Sequence, residues 1–479
     1  MVDMNVDVAI IGTGTSGMGA YREAAKHTDS IMMFEGNEYG STCARVGCMP
    51  SKLLIAPAEA RHRAEYFGQF GLIGDVPKVD GKAVMKRVRE ERDRFVGFVK
   101  GAVETFDAKH LTKAYAKFKD DHTLELDDGR IVEAKRIVIA TGSSPFIPPV
   151  FEAAGDRMII NDDVFDWVDL PKSVAVFGAG VIGLELGQAL HRLGVHVHLF
   201  GRGGGVGPLS DPEIIAYADK TFSDEFHFHS DGDVKEIKNT GDAVSITYIG
   251  KDGKEKTEEF EYLLVATGRR ANVDQLGLEN TSLKLDERGV PLYHPQSMQC
   301  GDSHIFIAGD ATADIPLLHE ASDEGKIAGE NAGQFPNVYK RARKTVLSVV
   351  FSDPQIAMVG KSYKELTDKG VDFATGAVDF EDQGRSRVML VNKGLMHLYG
   401  DRETGLLLGA EMIGPHHEHL AHELAWCIQQ RMTVSEIVQL PFYHPVIEEG
   451  MRSGLRNLNA AMDMAAQPPN RCIDCGVGG

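Results

Sequence analysis

The chain has 479 residues, more than one hydrophobic core normally serves, so about two to four domains are expected. Hydrophobic residues make up 43% and charged residues 25%, the ordinary balance of a soluble globular protein. A net charge of −19 argues against nucleic acid and anionic membrane as partners, because both need basic surface.

The start, Met1 to Asp7, is acidic and runs directly into a strand pattern, without the basic region and apolar run of a secretory leader. No stretch has the ~20 apolar residues of a membrane span. A cytoplasmic location is expected.

The strongest organisational signal is one pattern that occurs twice. Asp7–Ile11 is a short apolar strand followed by Gly12-Thr13-Gly14-Thr15-Ser16-Gly17, a helical stretch to about His27, and the strand Ser30–Glu35. Ser173–Phe177 leads into Gly178-Ala179-Gly180-Val181-Ile182-Gly183, a helix to about Leu193, and the strand Val195–Phe200. Each copy is a strand–helix–strand unit with G-x-G-x-x-G at its first turn, which implies two dinucleotide sites. Ile137–Gly142 and Leu263–Gly268 are apolar strands that both end in Ala-Thr-Gly, as if each closed one unit. His304–Asp310 is a further buried strand ending in Gly-Asp. From about Arg341 the character changes, and Val346–Phe351 and Gly394–Tyr399 read as strands of an α+β module.

The six cysteines are Cys43, Cys48, Cys300, Cys427, Cys472 and Cys475, too few for a disulfide scaffold in a chain this long. Cys43-Ala44-Arg45-Val46-Gly47-Cys48-Met49-Pro50-Ser51-Lys52 is the most specific segment. Five helical positions span about 7.5 Å, whereas a disulfide wants its Cα atoms at about 4.4–6.8 Å. A bonded pair therefore requires local distortion, for which Gly47 and Pro50 are the candidates. Two buried structural cysteines or half of a zinc site are the alternatives, and no second Cys/His pair with zinc spacing follows nearby.

These motifs, in this order from Asp7 to about Ala461, resemble the FAD-dependent pyridine nucleotide–disulfide oxidoreductases, within them most closely dihydrolipoamide dehydrogenase. The resemblance implies an α/β fold: two Rossmann-like domains plus a C-terminal α+β dimerisation domain. The expected boundaries are 1–145 with 271–340 for FAD, 146–270 for NAD(P), 341–465 for dimerisation and 466–479 for a flexible tail. It implies that Gly12, Gly14 and Gly17 cradle the FAD pyrophosphate, that Glu35 binds the adenosine ribose, and that Asp310 binds the ribityl chain. Thr15, Ser16, Thr42, Lys52, Thr141, Gly142 and Ala311 complete the expected FAD contacts. Gly178, Gly180, Gly183, Arg202 and Gly268 are expected at NAD or NADP. Cys43 would exchange with substrate sulfur, Cys48 would face the flavin, and Lys52 would pair with Glu185. His444, in His444-Pro445-Val446-Ile447-Glu448-Glu449, would be the base, oriented by Glu449 and serving the other subunit of a homodimer. The implied substrate is a small dithiol or disulfide, such as a lipoyl group.

Two departures stand out. Gly201 stands as far after Gly183 as Glu35 stands after Gly17, 18 residues in each case, where NAD enzymes carry an acid. Gly201 followed by Arg202 leans toward NADPH. The tail pair Cys472 and Cys475 is compatible with a mercuric-type metal reductase or another NADPH-dependent disulfide reductase, and equally with an incidental exposed pair. His416, His417, His419 and His422 crowd the start of a helix, but their spacing defines no ligand set, so no metal site is assigned.

Overall fold

Runs of Val, Ile and Ala that bury both faces of a strand favour parallel pairing beneath covering helices, and the two motif-bearing strands do this. The computed structural model describes residues 2–462; the tail with Cys472 and Cys475 lies outside the described residues. The strand Met4–Ile11 pairs in parallel with Ile31–Phe34 on one side and Ile131–Ile139 on the other. Its residues Val8, Ala9 and Ile10 have no exposed surface. Ile305–Ile307 adds to the far side of Ile131–Ile139, and a short antiparallel extension completes a seven-stranded sheet.

The second unit repeats the plan. Ser173–Phe177 lies between His196–Phe200 and Tyr262–Val265, all parallel, and His227–His229 and Met158–Ile160 form the edges of this five-stranded sheet. A three-stranded antiparallel sheet, Val234–Asn239, Val244–Ile249 and Glu255–Phe260, covers one face. Aromatic and branched residues from both sheets, including Phe177, Phe200, Tyr248 and Phe260, fill the space between them. The C-terminal part is an antiparallel sheet of five strands, with Gln355–Gly360, Leu407–Gly414 and Leu395–Asp401 at its centre. Helices His417–Gln429 and Glu448–Ala461 pack on it.

A buried carboxylate joins the second unit to this C-terminal sheet. Glu411 has no exposed surface. It accepts hydrogen bonds from the Ser210 amide (2.6 Å), the Ser210 hydroxyl (2.5 Å), the Asp211 amide (2.9 Å) and the Tyr363 amide (2.8 Å). Asp211, itself buried, accepts from His397 Nδ1 (2.7 Å) and the Tyr399 hydroxyl (2.9 Å), and caps the helix Pro212–Glu225. Replacing Glu411 with Ala strands several buried donors, each costing about 1–3 kcal/mol. Glu411→Ala is therefore expected to lower the melting temperature by on the order of 5 °C or more. A calorimetric scan in which the variant melts with wild type would remove this junction from the account of the fold.

Candidate functional site

The two glycine turns are geometric copies. A Cβ on Gly12 would stand 2.3 Å from the Ala140 carbonyl oxygen, and one on Gly17 would stand 2.1 Å from the Gly12 carbonyl oxygen. In the second turn the same clashes fall between Gly178 and Ala266 (2.2 Å) and between Gly183 and Gly178 (1.8 Å). Only glycine allows strand, turn and helix to pack this closely. Gly14 and Gly180 face open space instead. Each precedes a helix, Thr15–Ala24 or Val181–Arg192, that has neither a side-chain cap nor an acid in its first turn. The free N–H groups of both helices thus point at open clefts, the arrangement that holds phosphate.

Around the first cleft, Glu35 accepts from the Thr13 amide (3.0 Å) and the Thr13 hydroxyl (2.8 Å), which fixes its carboxylate beside the turn. Thr141 carries a buried hydroxyl with no hydrogen-bond partner. Asp310 accepts from the Ser143 hydroxyl (2.8 Å), which in turn accepts from Arg269 Nε (2.8 Å). The adjoining Gly309 amide donates to the buried Glu324 (2.8 Å), which pairs with Arg343. Gly309 also presses on Ser16, where an added Cβ would sit 2.7 Å from the hydroxyl. Thr15, Ser16, Asp310 and the buried Ala311 are thereby drawn toward one cleft. Thr42 opens the next helix and is exposed, while Gly142 (φ +70°) and Gly268 (φ +115°) form the turns after the two Ala-Thr strands.

In the second cleft, Gly201 cannot carry a side chain. A Cβ there would lie 2.5 Å from the Ser230 carbonyl oxygen and 2.8 Å from the Ala179 Cβ. An acid at the ribose position is therefore excluded by packing. Arg202 is exposed and, among the described residues, has no recorded hydrogen bond or ion pair.

The cysteines sit where two helices meet. Thr42–Val46 ends at Gly47 (φ −127°, ψ −119°), and Cys48–Ala64 begins directly after it. A Cβ on Gly47 would be 3.1 Å from the Cys43 Cα, so this residue makes the close turn. Pro50, the second candidate for the distortion, bars the helix from running back through Val46, whose carbonyl it can neither bond nor pass. It occupies the first turn of Cys48–Ala64, where its missing N–H costs no helical bond. Both cysteines are free thiols, close enough to share a hydrogen bond. That bond pushes the Cys43 thiol up. The hydrogen bond from Cys43, with the charge of Lys52, brings Cys48 down to about 7.

Lys52 lies one turn beyond Cys48. Its ammonium donates to both oxygens of Glu185 (2.7 and 2.8 Å), and Glu185 is only 4% exposed. Two partners were not legible in the sequence. The Phe351 amide donates to Glu185 (3.0 Å), and the Phe351 ring lies 4.4 Å from the Lys52 ammonium. Phe351 comes from the C-terminal part, 166 positions from Glu185, and no local motif marks it.

His444 and Glu449 are brought together, with Nδ1 3.0 and 3.1 Å from the two carboxylate oxygens. The pair is on the surface of the single chain, with the His444 side chain 80% exposed, and the only recorded side-chain partner of His444 among the described residues is Glu449. The other histidine group does not converge. His417 is fully buried against Phe380, and His422 Nδ1 bonds the Glu418 carbonyl 2.6 Å away.

Two phosphate-ready clefts flanking a thiol pair define an oxidoreductase that passes electrons between sulfur and nucleotide cofactors. Residues 6–325 match the model of the pyridine nucleotide–disulphide oxidoreductases, and residues 346–454 match the dimerisation domain of the same family. The chain belongs to this family. It is similar to the dihydrolipoyl dehydrogenase of Cupriavidus necator, 31% identical with 93% of this chain and 96% of the relative covered. It is also similar to the mercuric reductase of Streptomyces lividans, 30% identical with 92% and 93% covered. The crystal structure of LpdA from Mycobacterium tuberculosis shares the fold, with TM-score 0.80, 24% identity, and 96% and 100% of the two chains covered. The protein is thus a flavin-dependent disulfide oxidoreductase using FAD and NAD(P)(H). The uncapped helix at Gly14 and the unpartnered Thr141 hydroxyl fit the first cleft to FAD. Among the described residues no helix is long and apolar enough to cross a membrane.

The low value for Cys48 can be tested directly. Iodoacetamide should modify Cys48 of the reduced holoenzyme along a curve that rises with pH through about 7, because alkylation needs the thiolate. Lys52→Met should move the midpoint upward. A wild-type midpoint near the ordinary ~8.5 of a free thiol would show that neither neighbour acts on Cys48.

Proposed function

We propose that this enzyme exchanges electrons with a small dithiol or disulfide, a lipoyl-type group being the best match, and that its active form is a cytoplasmic homodimer. The single observation that carries the reading is the Cys43–Cys48 thiol pair, brought within hydrogen-bonding reach by the turn at Gly47 and set one helical turn from Lys52. Its resemblance to curated dihydrolipoyl dehydrogenases supports the lipoyl assignment.

In the thiol-oxidising direction, a substrate thiolate attacks Cys43 of the oxidised pair. The Cys43–Cys48 bond breaks, and Cys48 leaves as a thiolate, which its lowered pKa favours. The second substrate thiol then loses its proton to His444 and attacks the mixed disulfide, releasing the oxidised substrate and a Cys43 thiolate, which takes the proton back from His444. Glu449 holds the imidazole by Nδ1, leaving Nε2 to accept that proton. FAD, when bound, supplies the two-electron transfer between sulfur and nicotinamide. Gly12, Gly14, Thr15, Ser16, Gly17, Glu35, Thr42, Lys52, Thr141, Gly142, Asp310 and Ala311 would hold it. Gly178, Gly180, Gly183, Arg202 and Gly268 would hold the nicotinamide nucleotide.

The dimerisation-domain match and the exposure of His444 support a base delivered across subunits. His444→Ala should lower kcat for dihydrolipoamide oxidation by about 10²–10⁴. Co-purified heterodimers of a Cys43→Ser chain with a His444→Ala chain should regain turnover, since one of their two sites is intact. Heterodimers as inactive as either parent would place the base in the same chain as its cysteines.

The blocked Gly201 and the free Arg202 support NADPH over NADH. Arg202→Glu should raise KM for NADPH by about 10-fold or more, the worth of one charge-assisted hydrogen bond, and leave KM for NADH little changed. Equal KM values for the two nucleotides in the wild type would refute the preference. The similarity to a mercuric reductase supports a second reading in which Hg²⁺ is the electron acceptor. NADPH oxidation driven by Hg²⁺ without lipoamide would favour it, whereas simple inhibition by Hg²⁺ would dismiss it.

A further inference from the structure

A second cluster of chemically active side chains lies away from the thiols, on the nicotinamide unit. His196 and His198 alternate on the strand His196–Phe200 and so share one face of the sheet. His227 opens the neighbouring edge strand, in register with His198. One ligand nitrogen from each of the three lies within 4.8 Å of the other two. Glu258 reaches this face from the covering antiparallel sheet. Its carboxylate is 2.8 Å from His196 Nε2 and 3.4 Å from His198 Nε2.

The proton positions follow from these contacts. An ionised carboxylate only accepts, so the Nε2 atom of His196 carries a hydrogen, and that of His198 does the same where it faces Glu258. Each neutral ring then keeps its lone pair on Nδ1. The Nδ1 atom of His198 is buried and has no hydrogen-bond partner. A carboxylate that orients imidazoles through their distal N–H groups is the usual support around a histidine-bound metal. His196 and His227 are exposed, which gives an ion a way in and lets both rings adjust. Some adjustment is needed, because a tetrahedral ion with bonds near 2.0–2.1 Å holds its ligands about 3.4 Å apart.

We propose that His196, His198 and His227, supported by Glu258, form a site for a divalent transition ion of the zinc or nickel type. The all-imidazole donor set selects borderline metals over calcium or magnesium, which want oxygen. The site ties the edge of the parallel sheet to the sheet that covers it, at the opposite end of His196–Phe200 from the nucleotide turn at Gly201. Its role is therefore structural, and no electron passes through it.

Equilibrium dialysis of the oxidised, FAD-loaded enzyme against Zn²⁺ or Ni²⁺, followed by metal analysis and calorimetry, tests this. A Cys472→Ser/Cys475→Ser background removes the tail thiols as competing ligands. This parent should retain about one equivalent per chain and melt at higher temperature with metal than without it. His196→Gln/His227→Gln, two exposed changes, should lose both the equivalent and the shift while keeping the metal-free turnover. Glu258→Gln should weaken binding by about 10–100-fold. A parent that retains no metal, or a double histidine variant that binds as the parent does, would overturn the proposal. Neither result bears on the thiol chemistry, which dihydrolipoamide turnover reports separately.

Discussion

The ion pair between Lys52 and Glu185 holds the reactive part of this enzyme together. A carboxylate that is only 4% exposed cannot remain charged without partners. Glu185, on the helix Val181–Arg192, finds its partners in two other segments: the cysteine-bearing helix through Lys52 and the C-terminal part through the Phe351 amide. The Phe351 ring, 4.4 Å from the ammonium, adds a cation–π contact. Lys52 is one helical turn from Cys48, so whatever fixes the lysine also fixes the electrostatic environment of the thiol. The nicotinamide unit, the thiols and the C-terminal sheet therefore cannot be displaced independently without stranding a buried charge.

The same economy governs the two nucleotide clefts. Their glycines are needed twice over, at the turn where Gly12 or Gly178 meets a carbonyl and one helical turn later where Gly17 or Gly183 meets the first glycine. Close packing aims the helix at the cleft, and the lack of a capping side chain leaves its N–H groups for phosphate. The units differ where the ribose is read. Glu35 is locked beside the first turn by Thr13, whereas the matching place in the second unit is too crowded for any side chain. The crowding at Gly201 comes from the Ser230 carbonyl oxygen and the Ala179 Cβ.

Most of this plan was legible in the sequence because it is local. A buried strand, a G-x-G-x-x-G turn and a helix occupy about thirty consecutive residues, and period and punctuation alone mark them. The strands were placed within a few residues of those observed. The thiol pair was equally local, with Gly47 at the turn and Pro50 in the first turn of the helix that follows. What escaped was register between distant segments. Nothing near Phe351 signals that its amide will meet Glu185. Nothing near His227 signals that it will stand beside His198. The histidines that crowd together in sequence, from His416 to His422, are dispersed by their helix, and the ones that cluster in space come from two strands and a facing sheet.

The position of His444 raises a separate physical question. Glu449 sits in the first turn of the helix Glu448–Ala461, where the helix dipole favours its charge, and the hydrogen bond from His444 holds its carboxyl below the usual range. The imidazole is thereby oriented at the cost of fixing two side chains, yet in one chain it faces bulk solvent. An oriented base gains nothing in open water, where hydroxide and buffer compete with it. Its value depends on standing within about 3 Å of a substrate proton in a site that excludes water. A histidine prepared in this way but left exposed implies a surface that comes to cover it, and the dimerisation module that bears it supplies the natural candidate in a second copy of the chain.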